Sequence, residues 1–194
     1  MKRVPFRKHH LLAILSGYSE TSLPIDLYLR RYFQAHKQIG SKDRKEISHL
    51  AYGVVRWKGL LDHFIEKPCS WEKRINLFEE NTIESLQADD LPLHLRFSFP
   101  KQYTKWIIEE YGEDCAESFC KISNERAPIT IRVNPLKITR DELYEKLSQT
   151  FPLKKCLSSD LGLSFLDHVH CFSLPEFAKG FFEMQDEGSQ LIAK

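Results

Sequence analysis

The sequence predicts an α+β chain in two parts, an all-helical bundle followed by a small α+β domain, and three observations carry that expectation. An apolar repeat of helical spacing runs from Leu11 to Ile65. At Ala127 the repeat changes to strict alternation, with Ile129, Ile131 and Val133 on one side of a strand and Thr130, Arg132 and Asn134 on the other. Behind that strand, Thr139-Arg140-Asp141-Glu142 has the form of a capping box and opens a helix. The expected division is 1–90 for the helical domain, 91–185 for further helices plus the α+β unit, and 186–194 for the start of another domain.

Each element has its own signal. Leu11, Leu12, Ile14 and Leu15 give a short apolar helix face, and Pro24 suits a first helical turn before Ile25, Tyr28, Leu29, Tyr32 and Phe33. Ser41 reads as an N-cap for a helix whose core side is Ile47, Leu50, Ala51, Val54 and Val55. Leu60, Leu61, Phe64 and Ile65 add another apolar turn; Leu29, Phe33, Leu50 and Val54 are the expected core. Residues 66–99 are acid-rich and hold Pro68 and Pro92, so the domain connection falls there, with short helices at 71–79 and 83–88. Tyr103, Trp106, Ile107 and Tyr111 mark a helix face that Gly112 ends, and Ala116, Phe119 and Cys120 mark the next. Leu143, Tyr144 and Leu147 form the face of the capped helix, 162–166 and 181–184 are strands, and Leu174 to Phe177 is a corner.

Composition narrows the function classes. The chain has 194 residues and 42% apolar content, enough to bury a real core. No apolar run approaches a membrane span or the hydrophobic stretch of a signal peptide. Five cysteines without a C-x-x-C pair favour reduced thiols and a cytoplasmic location over disulfides or zinc. His9-His10 and His168-x-His170 lack acidic or cysteine partners at ligand spacing, which argues against a metal site. The net charge of +1 hides an asymmetry: residues 1–61 carry 12 Lys/Arg against 4 Asp/Glu. Clustered positive charge suits a polyanion, so nucleic acid is one expected partner of the first third; a merely solvated basic surface is the other reading.

Three stretches resemble one family in their wording. They are Ser41 to Trp57, with Asp43-Arg44 and Tyr52-Gly53-Val54-Val55-Arg56; Arg126-Ala-Pro-Ile-Thr-Ile-Arg-Val-Asn134, followed by Lys137, Thr139-Arg140 and Glu142; and Gln185-Asp186-Glu187-Gly188-Ser189-Gln190-Leu191. Together they resemble the RsmB-type (Sun/Fmu-like) RNA 5-methylcytosine methyltransferases, loosely over residues 20–65 and closely over 96–194. The resemblance implies a NusB-like helical domain, then an RRM-like domain, then the junction into a catalytic domain. It further implies RNA, ribosomal RNA in particular, and a C-terminal methyltransferase domain of the same protein as partners. S-adenosylmethionine is implied for that domain, with no cofactor and no catalysis expected of these residues alone. The alternative is a stand-alone NusB-type module acting in transcription or ribosome assembly.

An RRM binds single-stranded RNA on the outer face of its sheet, through aromatic residues that stack on bases. Here that side of the first strand holds Thr130, Arg132 and Asn134, and no ring. Two readings therefore stand: phosphate or sugar contacts by Arg132 and Asn134, or docking of this face against the catalytic domain. The candidate RNA contacts are Arg132, Asn134, Lys137 and Arg140 around the strand, with Arg44, Arg56 and Lys58 in the helical part. For Arg44 and Arg56 a cap or ion pair is the competing role. Pro68-Cys69-Ser70 imitates the family's catalytic Pro-Cys-Ser, but it sits in the wrong context, after Glu66-Lys67 and before Trp71. The Gly-rich strand-to-helix turn that would let a backbone approach a bound methyl donor does not occur in this sequence.

Overall fold

The computed structural model describes residues 5–192. They divide into two compact units, one ending at Glu125 and the other starting at Arg126.

The first unit is helical throughout: α1 (Phe6–Tyr18), α2 (Ile25–Ala35), α3 (Ser41–Arg56), α4 (Lys58–Phe64), α5 (Trp71–Glu80), α6 (Ile83–Leu86), α7 (Leu93–Arg96), α8 (Lys101–Tyr111) and α9 (Glu113–Asn124). Its main core joins Leu11, Ile14 and Leu15 of α1 to Leu29 and Phe33 of α2, Ile47, Ala51 and Val54 of α3, Leu60 and Leu61 of α4, and Ile75 of α5. Gly53 sits where a Cβ would collide with the Phe78 ring, so a hydrogen at this position lets α3 approach α5. Leu50, expected in the core, is only half-buried on its flank, because Ile47, Ala51 and Val54 take the innermost line of the helix. Ser41 is not the cap of α3 either. Gly40 holds that position, and Ser41 lies in the first turn without a side-chain cap bond.

The division falls later than the expected boundary at 90, because α7, α8 and α9 pack with the helices before them. Leu93 and Phe97 share a small core with Ala116 and Cys120. Arg96, mostly buried, reaches Glu117 at 2.6 Å and Asp89 at 3.3 Å, and the Asn124 amide donates to the Phe97 carbonyl. The helix α7 has no counterpart among the expected elements; it is four residues long and starts from Pro92. On α8 three of the four residues of the expected face are turned outward, and Ile107 alone of them packs on the small core. Thr104 is the buried residue, whereas Tyr103, Trp106 and Tyr111 are exposed, since a core this small cannot cover three rings.

A polar cluster joins α1 to α2. The His10 ring is buried, its Nδ1 lies 2.8 Å from the Tyr32 hydroxyl, and Tyr32 stacks on His36 at 4.0 Å. The rings of Phe6, His9, Tyr32 and His36 surround His10. Burial first, then the neighbouring His9 and His36, hold its pKa below the usual 6.5. The folded protein therefore favours neutral His10, while the unfolded chain takes up a proton as pH falls through its ordinary range, so stability declines on the acid side. Melting temperatures recorded from about pH 7.5 to about pH 5.5 should fall for the natural protein, and a His10→Gln variant should flatten part of that fall. Denaturant midpoints check the core: Ile47→Ala should cost about 2 to 5 kcal/mol, and Leu50→Ala clearly less.

The second unit runs β1 (Ile129–Val133), α10 (Arg140–Ser148), β2 (Leu153–Lys155), β3 (Gly162–Phe165), a 3₁₀ turn at Cys171–Ser173, α11 (Pro175–Ala178), β4 (Phe182–Met184) and α12 (Glu187–Ile192). The sheet order is β2-β3-β1-β4 and every pair is antiparallel, which gives the split β-α-β arrangement. The capping box forms as its sequence requires: Thr139 Oγ1 accepts from the Glu142 N–H, and Glu142 accepts from the Thr139 N–H. Leu143 and Leu147 of α10 pack on Ile131, Val133, Leu163, Phe165 and Phe182, which fixes the inner face of the sheet. Strand β2 is likewise additional to the expected elements, because its three residues are one leucine and two lysines; such charge is usual on an edge strand. In register, Lys154, Ser164 and Thr130 stand side by side on the opposite, outer face, as do Arg132 and Glu183.

Candidate nucleic-acid interface

Of the candidate RNA contacts, six side chains are bonded within the protein. Arg44 donates to the Ile39 carbonyl at 2.8 Å and lies over the Phe33 ring. Arg56 donates to the Asn124 carbonyl, and Lys58 pairs with Asp62 at 2.7 Å. Burial pushes the Asp62 carboxyl up, but bonds from Arg74 and Lys58 outweigh it and hold its pKa below the usual range. Asn134 uses its amide on the turn after β1, donating to the Gly180 carbonyl and accepting from the Leu136 N–H. Lys137 donates to the Lys179 carbonyl, and Arg140 to the Ser159 carbonyl at 3.0 Å. These residues stabilise helix ends and loops first.

Arg132 is different. It is exposed on the outer face, opposite Glu183 of β4 and Gly162 of β3. Its side chain makes no hydrogen bond or ion pair with the described residues. It lines a shallow cleft of about 510 Å3 with Asn134, Leu136, Glu183 and Met184, and Leu136 is 92% exposed there.

Sequence reasoning gave the basic first third to nucleic acid but singled out none of its unpaired cations. Arg30 and Arg31 on α2, Lys37 after it, and Lys42 and Lys45 on α3 are all exposed, with no side-chain partner among the described residues. The signal was present: Arg30 and Arg31 fall between the apolar positions Leu29 and Tyr32, on the side of α2 that the core does not take. By contrast, Arg7 and Lys8 of the same basic front are paired with Asp43 and Glu79. Lys2 and Arg3, which also belong to that front, lie outside the described residues. Among the described residues no helix is long and apolar enough to cross a membrane, and no cluster of three or more His, Cys, Asp or Glu could hold a metal.

The geometry of the second unit agrees with comparisons to known proteins. Residues 99–155 match the family model of the Methyltr_RsmF/B-like, ferredoxin-like domain. The "Ribosomal RNA small subunit methyltransferase B" of Pseudomonas syringae pv. tomato is 33% identical over 100 residues, 51% of this chain and 22% of that protein. The "Probable ribosomal RNA small subunit methyltransferase B" of Synechocystis sp. is 26% identical over 124 residues, 63% of this chain and 28% of that protein. The chain is related to the RsmB-type proteins. It matches only about a quarter of their length. The crystal structure of PH0851 shares the fold, with a TM-score of 0.58 over 95% of this chain and 54% of that one, at 18% identity.

The RsmB-type motif at 185–191 has a clear physical role here. The Gln190 side chain is buried, accepts from the Ser159 hydroxyl at 2.6 Å, and donates to the carbonyls of Gln185 at 2.9 Å and Ile131 at 3.4 Å. Glu187 accepts from the N–H groups of Ser158 and Ser159, which hold its carboxyl below the usual range. These bonds tie α12 to β1 and to the loop between β2 and β3, mostly without apolar contact.

The RsmB-like Pro-Cys-Ser at 68–70 is structural: the Cys69 thiol faces the carbonyls of Asp62 and Ile65, and Ser70 caps α5 by accepting from the Lys73 N–H. Burial, then the Glu187 carboxylate, pushes Cys156 up to about 11, so its thiol stays protonated at neutral pH. Burial also raises the thiols of Cys120 and Cys171. Gln190→Ala should remove the polar tie of α12, with amide exchange at 186–190 quickening and a stability loss of about 1 to 3 kcal/mol by denaturation.

Proposed function

We propose that this chain holds ribosomal RNA for an S-adenosylmethionine-dependent cytosine-C5 methyltransferase domain of the same protein, in the cytoplasm. The observation that carries the reading is the match of residues 99–155 to the RsmF/B-like ferredoxin-like domain, supported by relatives whose names specify ribosomal RNA methylation. The five cysteines are free, in keeping with a reducing compartment.

The methyl donor does not fit these residues. The closest-spaced glycines, Gly53 and Gly59, lie on α3 and α4 rather than in a strand-to-helix turn, and the buried thiols are pushed toward their protonated form. Methyl transfer is left to the catalytic domain. The part of this chain is binding. The exposed cations Arg30, Arg31, Lys37, Lys42 and Lys45 supply contacts to phosphate, and Arg132 supplies one more on the sheet. Phosphate contacts release counterions, so affinity depends steeply on salt and weakly on sequence. The second expected role of the outer face, docking of the catalytic domain, remains compatible with Arg132, Leu136 and Met184 lining one cleft.

Filter binding of a small-subunit ribosomal RNA fragment at several salt concentrations tests the proposal. The chain should bind with an affinity that falls steeply as salt rises, and Arg30→Ala with Arg31→Ala should lower the slope by about one for each phosphate that the two arginines neutralise. Arg44→Ala should instead lower the melting temperature. Salt-independent binding, or none, would overturn the reading.

A further inference from the structure

The outer face of the sheet holds a second cleft, distinct from the one beside Arg132. It has a volume of about 540 Å3 and lies between the entry to β1, strands β2 and β3, and the start of α12. Thr130 and Ser164 form its floor, paired in register on adjacent strands and each only 5% exposed. Neither hydroxyl has a hydrogen-bond partner among the described residues. Among those residues the only sealed side-chain polar atom without a partner is Arg96 Nε, in the other unit, so both hydroxyls open onto the cleft. Two adjacent hydroxyls that open onto the cleft and are not used by the protein are available to a polar ligand.

The walls indicate what that is. Lys154, next to Ser164 in register, and Arg126 at the entry to β1 are exposed cations with no ion pair among the described residues. Lys155, by contrast, is taken by Asp141 at 2.7 Å. Of the acids at the opposite wall, Glu187 is held by the Ser158 and Ser159 N–H groups and Asp186 by the Gly188 N–H. Asp167 is the third acid of that wall, and after the Ser158 and Ser159 N–H groups Lys154 on the facing side helps to hold the Glu187 carboxyl below its usual range. The outer-face positions Lys154, Ser164, Thr130, Arg132 and Glu183 include no ring on which a base could stack; the exposed ring that lines the cleft is His168, at its rim beside His170. A floor of hydroxyls between two cations matches a ribose with its flanking phosphates, and the volume suits one nucleotide.

We propose that this cleft binds one ribose-phosphate unit of single-stranded RNA, with the Thr130 and Ser164 hydroxyls meeting the 2′-hydroxyl and with Lys154 and Arg126 meeting phosphate. The site then reads the sugar, so it distinguishes RNA from DNA. The assignment rests on the RNA-holding role proposed above and adds to it the chemical group that is recognised.

The test is fluorescence anisotropy with two labelled single strands of about eight nucleotides, oligouridylate and the matching oligodeoxyuridylate, which differ only in the 2′-hydroxyl. The natural chain should bind the RNA on the order of tenfold more tightly than the DNA. Thr130→Val combined with Ser164→Ala, near-isosteric changes, should bring the two affinities together. Lys154→Ala, a surface change that leaves the fold intact, should weaken both and reduce the salt slope by about one. Equal affinities in the natural chain overturn the site, as does a preference that survives the double substitution or a Lys154→Ala variant that binds unchanged. If RNA is still bound with normal salt dependence in those cases, only the site is lost. Failure to bind either strand removes the RNA-holding role as well.

Discussion

The second unit depends on the pairing of β1. Five residues long, it is hydrogen-bonded to β3 on one side and β4 on the other, so its backbone is satisfied and its alternation decides what each face of the sheet can be. Ile131 and Val133 go inward against α10, which leaves Thr130 and Arg132 outward. With strands of three to five residues the sheet has one core; the second helix of the split arrangement is reduced to the four residues of α11. The outer face is therefore available, and its cover is α12, which is held chiefly by the Gln190 amide and the Glu187 carboxylate. A cover fixed by polar bonds leaves open clefts on either side of β1, which an apolar helix packed flat would have filled.

Legibility in the sequence followed the length and regularity of each signal. The alternation of β1, the Thr139–Glu142 box and the positive-φ glycine that ends α8 were all legible because each is a local rule obeyed locally. Strand β2 was not, since an edge strand of Leu153 and two lysines carries almost no apolar signal. Helical periodicity found α3 and α8 but misjudged how they are rotated. Leu50 was moved to the flank by Ile47, Ala51 and Val54, and the rings of Tyr103, Trp106 and Tyr111 face outward because the partner core holds little beyond Leu93, Phe97, Ala116 and Cys120. Which of two apolar stripes is buried depends on the neighbour, and the neighbour is not written in the helix.

Charged residues show the same limit more sharply. Arg44, Arg56, Lys58, Lys137 and Arg140 sit in the family-like wording or beside it, yet their side chains end on carbonyls or on Asp62. A cation within a motif can serve the fold by capping a loop or pairing with a neighbouring acid, and here five of them do. Apart from Arg132, the cations that point outward, Arg30, Arg31, Lys42 and Lys45, were given no role by the family pattern, although Lys42 and Lys45 lie within its Ser41–Trp57 stretch. For a polyanion this is sensible physics: phosphate recognition needs accessible charge at rough spacing, whereas capping a carbonyl needs one side chain at one place.

The span of the family-model match, 99–155, crosses the division at 125/126 between the two compact units. The helices α8 and α9 accompany β1, α10 and β2 in sequence but pack with α7 through Phe97, Ala116, Cys120 and the Arg96–Glu117 pair. A stretch that is inherited together thus contributes to two cores, and neither core is complete without it. Replacing residues 99–155 by those of a relative would therefore test the helical unit as much as the sheet. Side chains such as Phe97, which lies just outside the exchanged stretch, would have to fit a new α9 before the strand that carries Thr130 and Arg132 could be compared.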